Sequence, residues 1–168
     1  VLGDAELDDS SAVPDAPVET TASIEPPVPE KIVAIRLLSR DRRGFPAEQL
    51  VLALRGAGLR HGQFGIFHAH PESSPQQTTF SVASLTEPGS FDLSNLKTGR
   101  YPGVSLFLAL PGPLDGITAF DQMMETARGL AHELEGDLSD EQGSTLSVQR
   151  ERYLREEIIQ FQHGDARI

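Results

Sequence analysis

Few side chains in this sequence are spaced for chemistry, and each set has a plainer reading. His68-Ala69-His70 places two imidazoles two residues apart. On a strand both rings point to one face, a geometry many metal sites use. No clear third ligand accompanies them, although His61 and Glu72 are near in sequence, so hydrogen-bonded strand histidines are the stronger reading. His132-Glu133 lies in a helical stretch, but no H-E-x-x-H follows, and a solvated helix face accounts for it. Gly56, Gly58, Gly62 and Gly65 imitate a phosphate loop. They follow a helix instead of joining a strand to a helix, so the dinucleotide reading fails on context. There is no G-x-S-x-G and no cysteine, and no spacing singles out a pair of carboxylates. Met123-Met124 falls on the apolar stripe of a helix and reads as core. No catalytic set can be assembled. The expectation is a protein that is not an enzyme and holds neither cofactor nor metal.

What remains informative is Pro102-Gly-Val-Ser-Leu-Phe-Leu-Ala-Leu-Pro111, an uncharged run between two prolines. It reads as a central strand bounded by breakers. Alternation puts Val104, Leu106, Leu108 and Leu110 on one face, an ordinary core. Ser105, Phe107 and Ala109 fall on the other, where small residues flank one large ring. Solvated sheet faces usually carry charged residues or threonine. This one looks made to be covered.

The remaining elements follow from period and punctuation. Residues 31–38 form a first strand with Val33, Ile35 and Leu37 on one face and Ile32, Ala34, Arg36 and Leu38 on the other. Phe45 and Pro46 open a helix to about Ala57, with Leu50, Val51 and Leu54 as its stripe and Gly58 as its stop. Residues 64–70 and 78–85 are strands. A long helix covers about 118–135, with Phe120, Met123, Met124, Ala127, Ala131 and Leu134 inward and Gly136 as terminator. Residues 137–140 and 144–146 read as short strands. Ser147 caps a last helix to about Gln162, with Leu154, Ile158 and Phe161 inward. The order is β-α-β-β-β-α-β-β-α. It implies an α+β fold: a mainly antiparallel six-stranded sheet with three helices packed on one face and the other face open. Four strands then offer an apolar pair on the open face: Ile32/Ala34, Phe64/Ile66, Ala83/Leu85 and Phe107/Ala109. Side by side they make a contiguous patch, and large exposed patches mark interaction sites.

Charge divides the 168 residues unevenly. Residues 1–30 hold eight of the 25 acids, five prolines and no Lys or Arg. They read as a disordered linker leading from something upstream, ahead of a single domain over 31–168. The chain begins at Val1 and not Met, which is read as a fragment or processed product. Beyond residue 30 there are 17 acids against 14 bases, a nearly neutral balance with no nucleic-acid footprint. No apolar run spans a bilayer and no signal peptide is visible.

Four blocks carry a family resemblance: Gly62-Gln-Phe-Gly-Ile-Phe-His-Ala-His70, residues 80–92 (F-S-V-A-S-L-T-E-P-G-S-F-D), Pro102 to Pro111, and Leu146 to Glu157. In this order and spacing the chain resembles, over about residues 31–162, the C-terminal domain of the ZipA family of Gram-negative cell-division proteins. The resemblance implies a cytoplasmic domain that docks the C-terminal tail of the tubulin-like FtsZ across the open sheet face. It implies a whole protein anchored in the inner membrane by an N-terminal helix absent here, with residues 1–30 as the end of its linker. Such a protein tethers FtsZ filaments and supports the septal ring. The contact positions it implies are Ile32, Ala34, Phe64, Ile66, Ala83, Ser84, Leu85, Ser105, Phe107 and Ala109, largely the pairs that alternation already marks. The sequence differs from the family pattern at Ala34 and Ala109, where bulkier residues are expected, at Phe64 in place of Met, and at Glu87 where a Lys can occur. Two other readings stand beside it: a small-ligand or metal module using His68 and His70, and a homodimer that buries the same face.

Overall fold

The computed structural model describes residues 30–166, with side chains to Gly164. The expected linker lies outside the described residues apart from Glu30. The elements in chain order are β1 (Lys31–Ser39), β2 (Phe45–Pro46), α1 (Ala47–Gly56), β3 (Arg60–His61), a 3-10 turn (Gln63–Gly65), β4 (Phe67–Ala69), β5 (Phe80–Ser84), β6 (Arg100–Tyr101), β7 (Gly103–Leu110), α2 (Gly116–Leu134), β8 (Gly136–Ser139) and α3 (Val148–Ala166). Six strands form one sheet in the order β3-β4-β5-β7-β1-β8, and every pairing is antiparallel. β2 and β6 make a separate two-stranded ribbon. The α+β architecture with three helices on one sheet face matches the expectation.

The core follows the period-two alternation of the two long strands. Val33, Ile35 and Leu37 of β1 and Val104, Leu106, Leu108 and Leu110 of β7 are all buried. They meet Leu50, Val51 and Leu54 of α1, Phe120, Met123, Met124, Ala127 and Leu130 of α2, and Leu154 and Ile158 of α3. Asp115 caps α2 by accepting from the backbone N–H groups of Ile117 (3.1 Å) and Thr118 (3.3 Å). Ser147 Oγ accepts from Arg150 N (3.0 Å) at the start of α3. No helix among the described residues is long and apolar enough to cross a membrane.

The structure departs from the expected elements at four places. Phe45 and Pro46 do not open α1. Phe45 is buried and its backbone pairs with Tyr101, so the helix begins at Ala47. The expected strand over residues 64–70 shrinks to Phe67–Ala69, because Phe64 and Gly65 take left-handed backbones (φ 64° and 70°). The sixth strand is β3, not residues 144–146. That segment makes only an isolated bridge, Ser139 to Thr145, because Asp140 Oδ1 accepts from the N–H of Gln142 and of Ser144 (2.9 Å each) and curls the chain. Finally, α2 ends on Glu135 in the left-handed region (φ 56°). Gly136 is needed in β8, where a Cβ would lie 2.8 Å from the carbonyl oxygen of Leu38.

Candidate peptide-docking face

Residues directly opposite in an antiparallel pair share a face, so the register lays out the uncovered side of the sheet. One row runs Ala34, Phe107, Ser81, His68, Arg60 across five strands. A second runs Arg36, Ser105, Ala83, and a third pairs Ile32 with Ala109. Phe107 is half-buried and stands between Ala34 and Ser81, with Ser105 and Ala109 before and after it on its own strand. Small neighbours leave the ring's flanks open. Ile32 is 53 % exposed, and Ala109 is exposed beside it.

At the far end of β1 two leucines extend the apolar surface. A Cβ on Gly103 would meet Leu85 Cδ1 at 2.9 Å and Leu38 Cδ2 at 3.0 Å, so both side chains lie over that glycine. Leu85 N donates to Gly103 O (3.1 Å), which carries the face past the end of β5. Two charged residues, Arg36 and Arg60, border the rows, and no acid shares the face on these five strands. On β8 Asp137 faces the same way and is held by Arg40 Nε (3.0 Å). The chain is strongly acidic, yet this face is apolar with a basic margin.

The turn Gln63–Gly65 closes the β3–β4 side. Phe64 is 79 % exposed at its tip. The turn is braced from the loop before β6 by Phe91 N donating to Gly65 O (2.8 Å). That loop turns at Asp92, whose carboxyl is held below the usual carboxylate value by the hydroxyl and then the N–H of Ser94. At the opposite corner Asp41 is lowered chiefly by the N–H of Arg43 and by its guanidinium.

Residues 31–157 match the model of a family described as ZipA, C-terminal FtsZ-binding domain. The chain belongs to the ZipA family. It is 38 % identical to the cell division protein ZipA of Pseudomonas entomophila (strain L48), over 91 % of this chain and 51 % of that protein. The cell division protein ZipA of Pseudomonas putida (strain W619) is 39 % identical over 84 % of this chain and 49 % of its own length. That of Stutzerimonas stutzeri (strain A1501) is 39 % identical over 79 % and 49 %. The chain thus spans about half the length of the curated ZipA proteins it matches.

Of the ten positions the ZipA resemblance implies, the structure sets Ile32, Ala34, Ala83, Leu85, Ser105, Phe107 and Ala109 on the open face. Ile66 lies beside it but is only 8 % exposed. Ser84 pairs with Val104 on the core side, and its Oγ accepts from Thr86 N (2.9 Å), so its side chain is turned away from the open face. Phe64 sits on the turn and not on a strand, so the Phe64/Ile66 strand pair does not form. Leu38 belongs to the same apolar surface, although the resemblance does not name it. The alternation of β1 had already put it on that side.

The histidines are occupied otherwise than a metal site needs. His68 Nδ1 lies 2.8 Å from Ser81 Oγ and Nε2 2.9 Å from Gln63 O, while His70 Nδ1 lies 2.7 Å from Gln77 O. Their ring centroids are 6.2 Å apart. Among the described residues no group of three His, Cys, Asp or Glu could hold an ion.

Proposed function

We propose that this chain is the FtsZ-binding part of a non-enzymatic cell-division adaptor, with the C-terminal tail of FtsZ docking on the open sheet face. The observation that carries the reading is the row Ala34–Phe107–Ser81 with its leucine and isoleucine neighbours: an apolar surface around one half-open ring, on a domain whose family is described as FtsZ-binding. The basic margin of Arg36 and Arg60 favours a peptide that mixes acidic residues with apolar anchors. The contacts are the ten positions above.

Burying about three anchors at ~1.5–3 kcal/mol each, less the cost of ordering the peptide, gives micromolar-scale affinity. Weak single sites suit a tether, because many copies on one membrane facing one polymer gain strength by avidity. We place the whole protein in the inner membrane, anchored by a segment outside this chain, with this domain on the cytoplasmic side at the septal ring. Residues 1–30 act as the end of its linker. The ledger of acids and bases beyond residue 30 supports no nucleic-acid partner.

The test is fluorescence anisotropy with a labelled peptide of the FtsZ C-terminal tail. Saturable micromolar binding by the chain, weakened at least about tenfold in Phe107→Ala, is the expected result. A folded chain that leaves the peptide free would restrict the likeness to ZipA to the fold.

A further inference from the structure

Phe64 is held under two adverse conditions. Its φ of 64° is comfortable for glycine or asparagine and not for a bulky aromatic. Its ring is 79 % exposed and takes no part in the core cluster. Neither condition serves the fold. The turn that imposes them is nonetheless firmly tied. Gly65 N donates to Gly62 O (2.9 Å), Gly62 N donates to Ile66 O (2.9 Å), and a Cβ on Gly65 would lie 2.9 Å from Ser90 Cβ.

The side-chain tie between this turn and the sheet is His68. Its side chain is buried on the open-face row, between Ser81 and Arg60. Nε2 is 2.9 Å from the carbonyl oxygen of Gln63, the residue before Phe64. A carbonyl only accepts, so Nε2 carries the proton and donates. Nδ1 is 2.8 Å from Ser81 Oγ, whose hydroxyl donates to that unprotonated nitrogen. Ser81 is in turn the cross-strand neighbour of Phe107. A chain of single links therefore joins the two aromatic rings: Phe107, Ser81, His68, Gln63, Phe64.

We propose that His68 is a positioning residue for peptide docking: by clamping the Gln63 carbonyl to Ser81 it holds Phe64 at the rim of the face as a preformed anchor for an aliphatic or aromatic side chain of the peptide. This rests on the reading that the open face docks a peptide. His68 is itself too buried to be a major contact. Its effect is to remove an ordering step from binding. Without the clamp, the turn keeps its backbone bonds but the Gln63 carbonyl loses its side-chain donor, so Phe64 is held less firmly in the presented position, while the ladders of β5, β7 and β1 keep the rest of the face in place.

The full chain is titrated against the fluorescein-labelled FtsZ tail peptide as wild type, Phe64→Ala, His68→Ala and the double variant, with thermal unfolding recorded for each. Each single change is expected to weaken binding about tenfold. The double variant is expected within about twofold of Phe64→Ala, because His68 acts through Phe64. His68→Gln, which keeps a donor and an acceptor, is expected to recover part of the loss. His68→Ala and Phe107→Ala are expected to multiply. A His68→Ala curve superposable on wild type overturns the role, and so does a double variant whose loss is the product of the singles. If His68→Ala does not fold, Ser81→Ala takes its place in the same cycle and is judged by the same criterion. A cooperatively melting wild type that does not bind removes the docking face itself, a result separate from loss of the clamp alone.

Discussion

Leu106 and Phe107 are chain neighbours with opposite tasks. Leu106 is fully buried among the helices, while Phe107 stands half-open on the far side of the same strand. Leu106→Ala should therefore cost about 2–5 kcal/mol of stability, the usual range for a leucine removed from a packed core. Phe107→Ala, which loses only cross-strand contact with small neighbours, should cost about 1 kcal/mol or less. Denaturant unfolding of the two variants reads both numbers, and a Phe107→Ala loss as large as that of Leu106→Ala would mean that the ring belongs to the core. This division was legible in the sequence, since alternation alone separates the two residues. The backbone of Phe64 was not legible. Phe64-Gly-Ile-Phe alternates like a strand, and periodicity carries no information about the sign of φ. The core side of Ser84 was available from alternation, and the family resemblance named the position without regard to it.

At the scale of elements, the face depends on β1 and β7 lying close together at Gly103. A Cβ there would stand 2.5 Å from the carbonyl oxygen of Leu37, a backbone atom with no freedom to retreat. Gly103→Ala should cost about 1–3 kcal/mol by forcing the strands apart. It should also weaken peptide binding, because Leu38 and Leu85 meet over the same spot. A variant with unchanged melting and unchanged affinity would show that the two strands can separate freely. The long elements were readable because each has its own period: two for β1 and β7, and 3.6 for the stripes of α2 and α3. β3 had none. Arg60-His61 is a strand only because β4 lies next to it, a relation between segments that no local pattern records. The expected count of six strands was right, but its sixth member was elsewhere.

At the scale of the molecule, every buried core residue among the described residues lies between Val33 and Ile158. Removing residues 1–29 should leave unfolding free energy within about 0.5 kcal/mol of the full chain. Peptide affinity in high salt, where the seven acids of residues 1–29 are screened, should likewise be unchanged. A clear drop in either would assign those residues a place in the fold or on the face. The division at residue 30 was the plainest feature of the sequence, since charge and proline both change there. The identity of the covering partner was not carried by composition at all, because an apolar face looks the same whatever occupies it.

The register of the sheet also sets a timetable for synthesis. β1 is the second strand from one edge, yet its main partner is β7: Lys31 faces Leu110 and Leu38 faces Gly103. On a ribosome adding about 5–20 residues per second, β1 waits roughly 4–16 seconds for β7 to be made. Throughout that interval Ile-Val-Ala-Ile is an unpaired, aggregation-prone segment. The stretch made just before it is acidic and rich in proline, a composition that opposes edge-to-edge association of like-charged copies of the nascent strand.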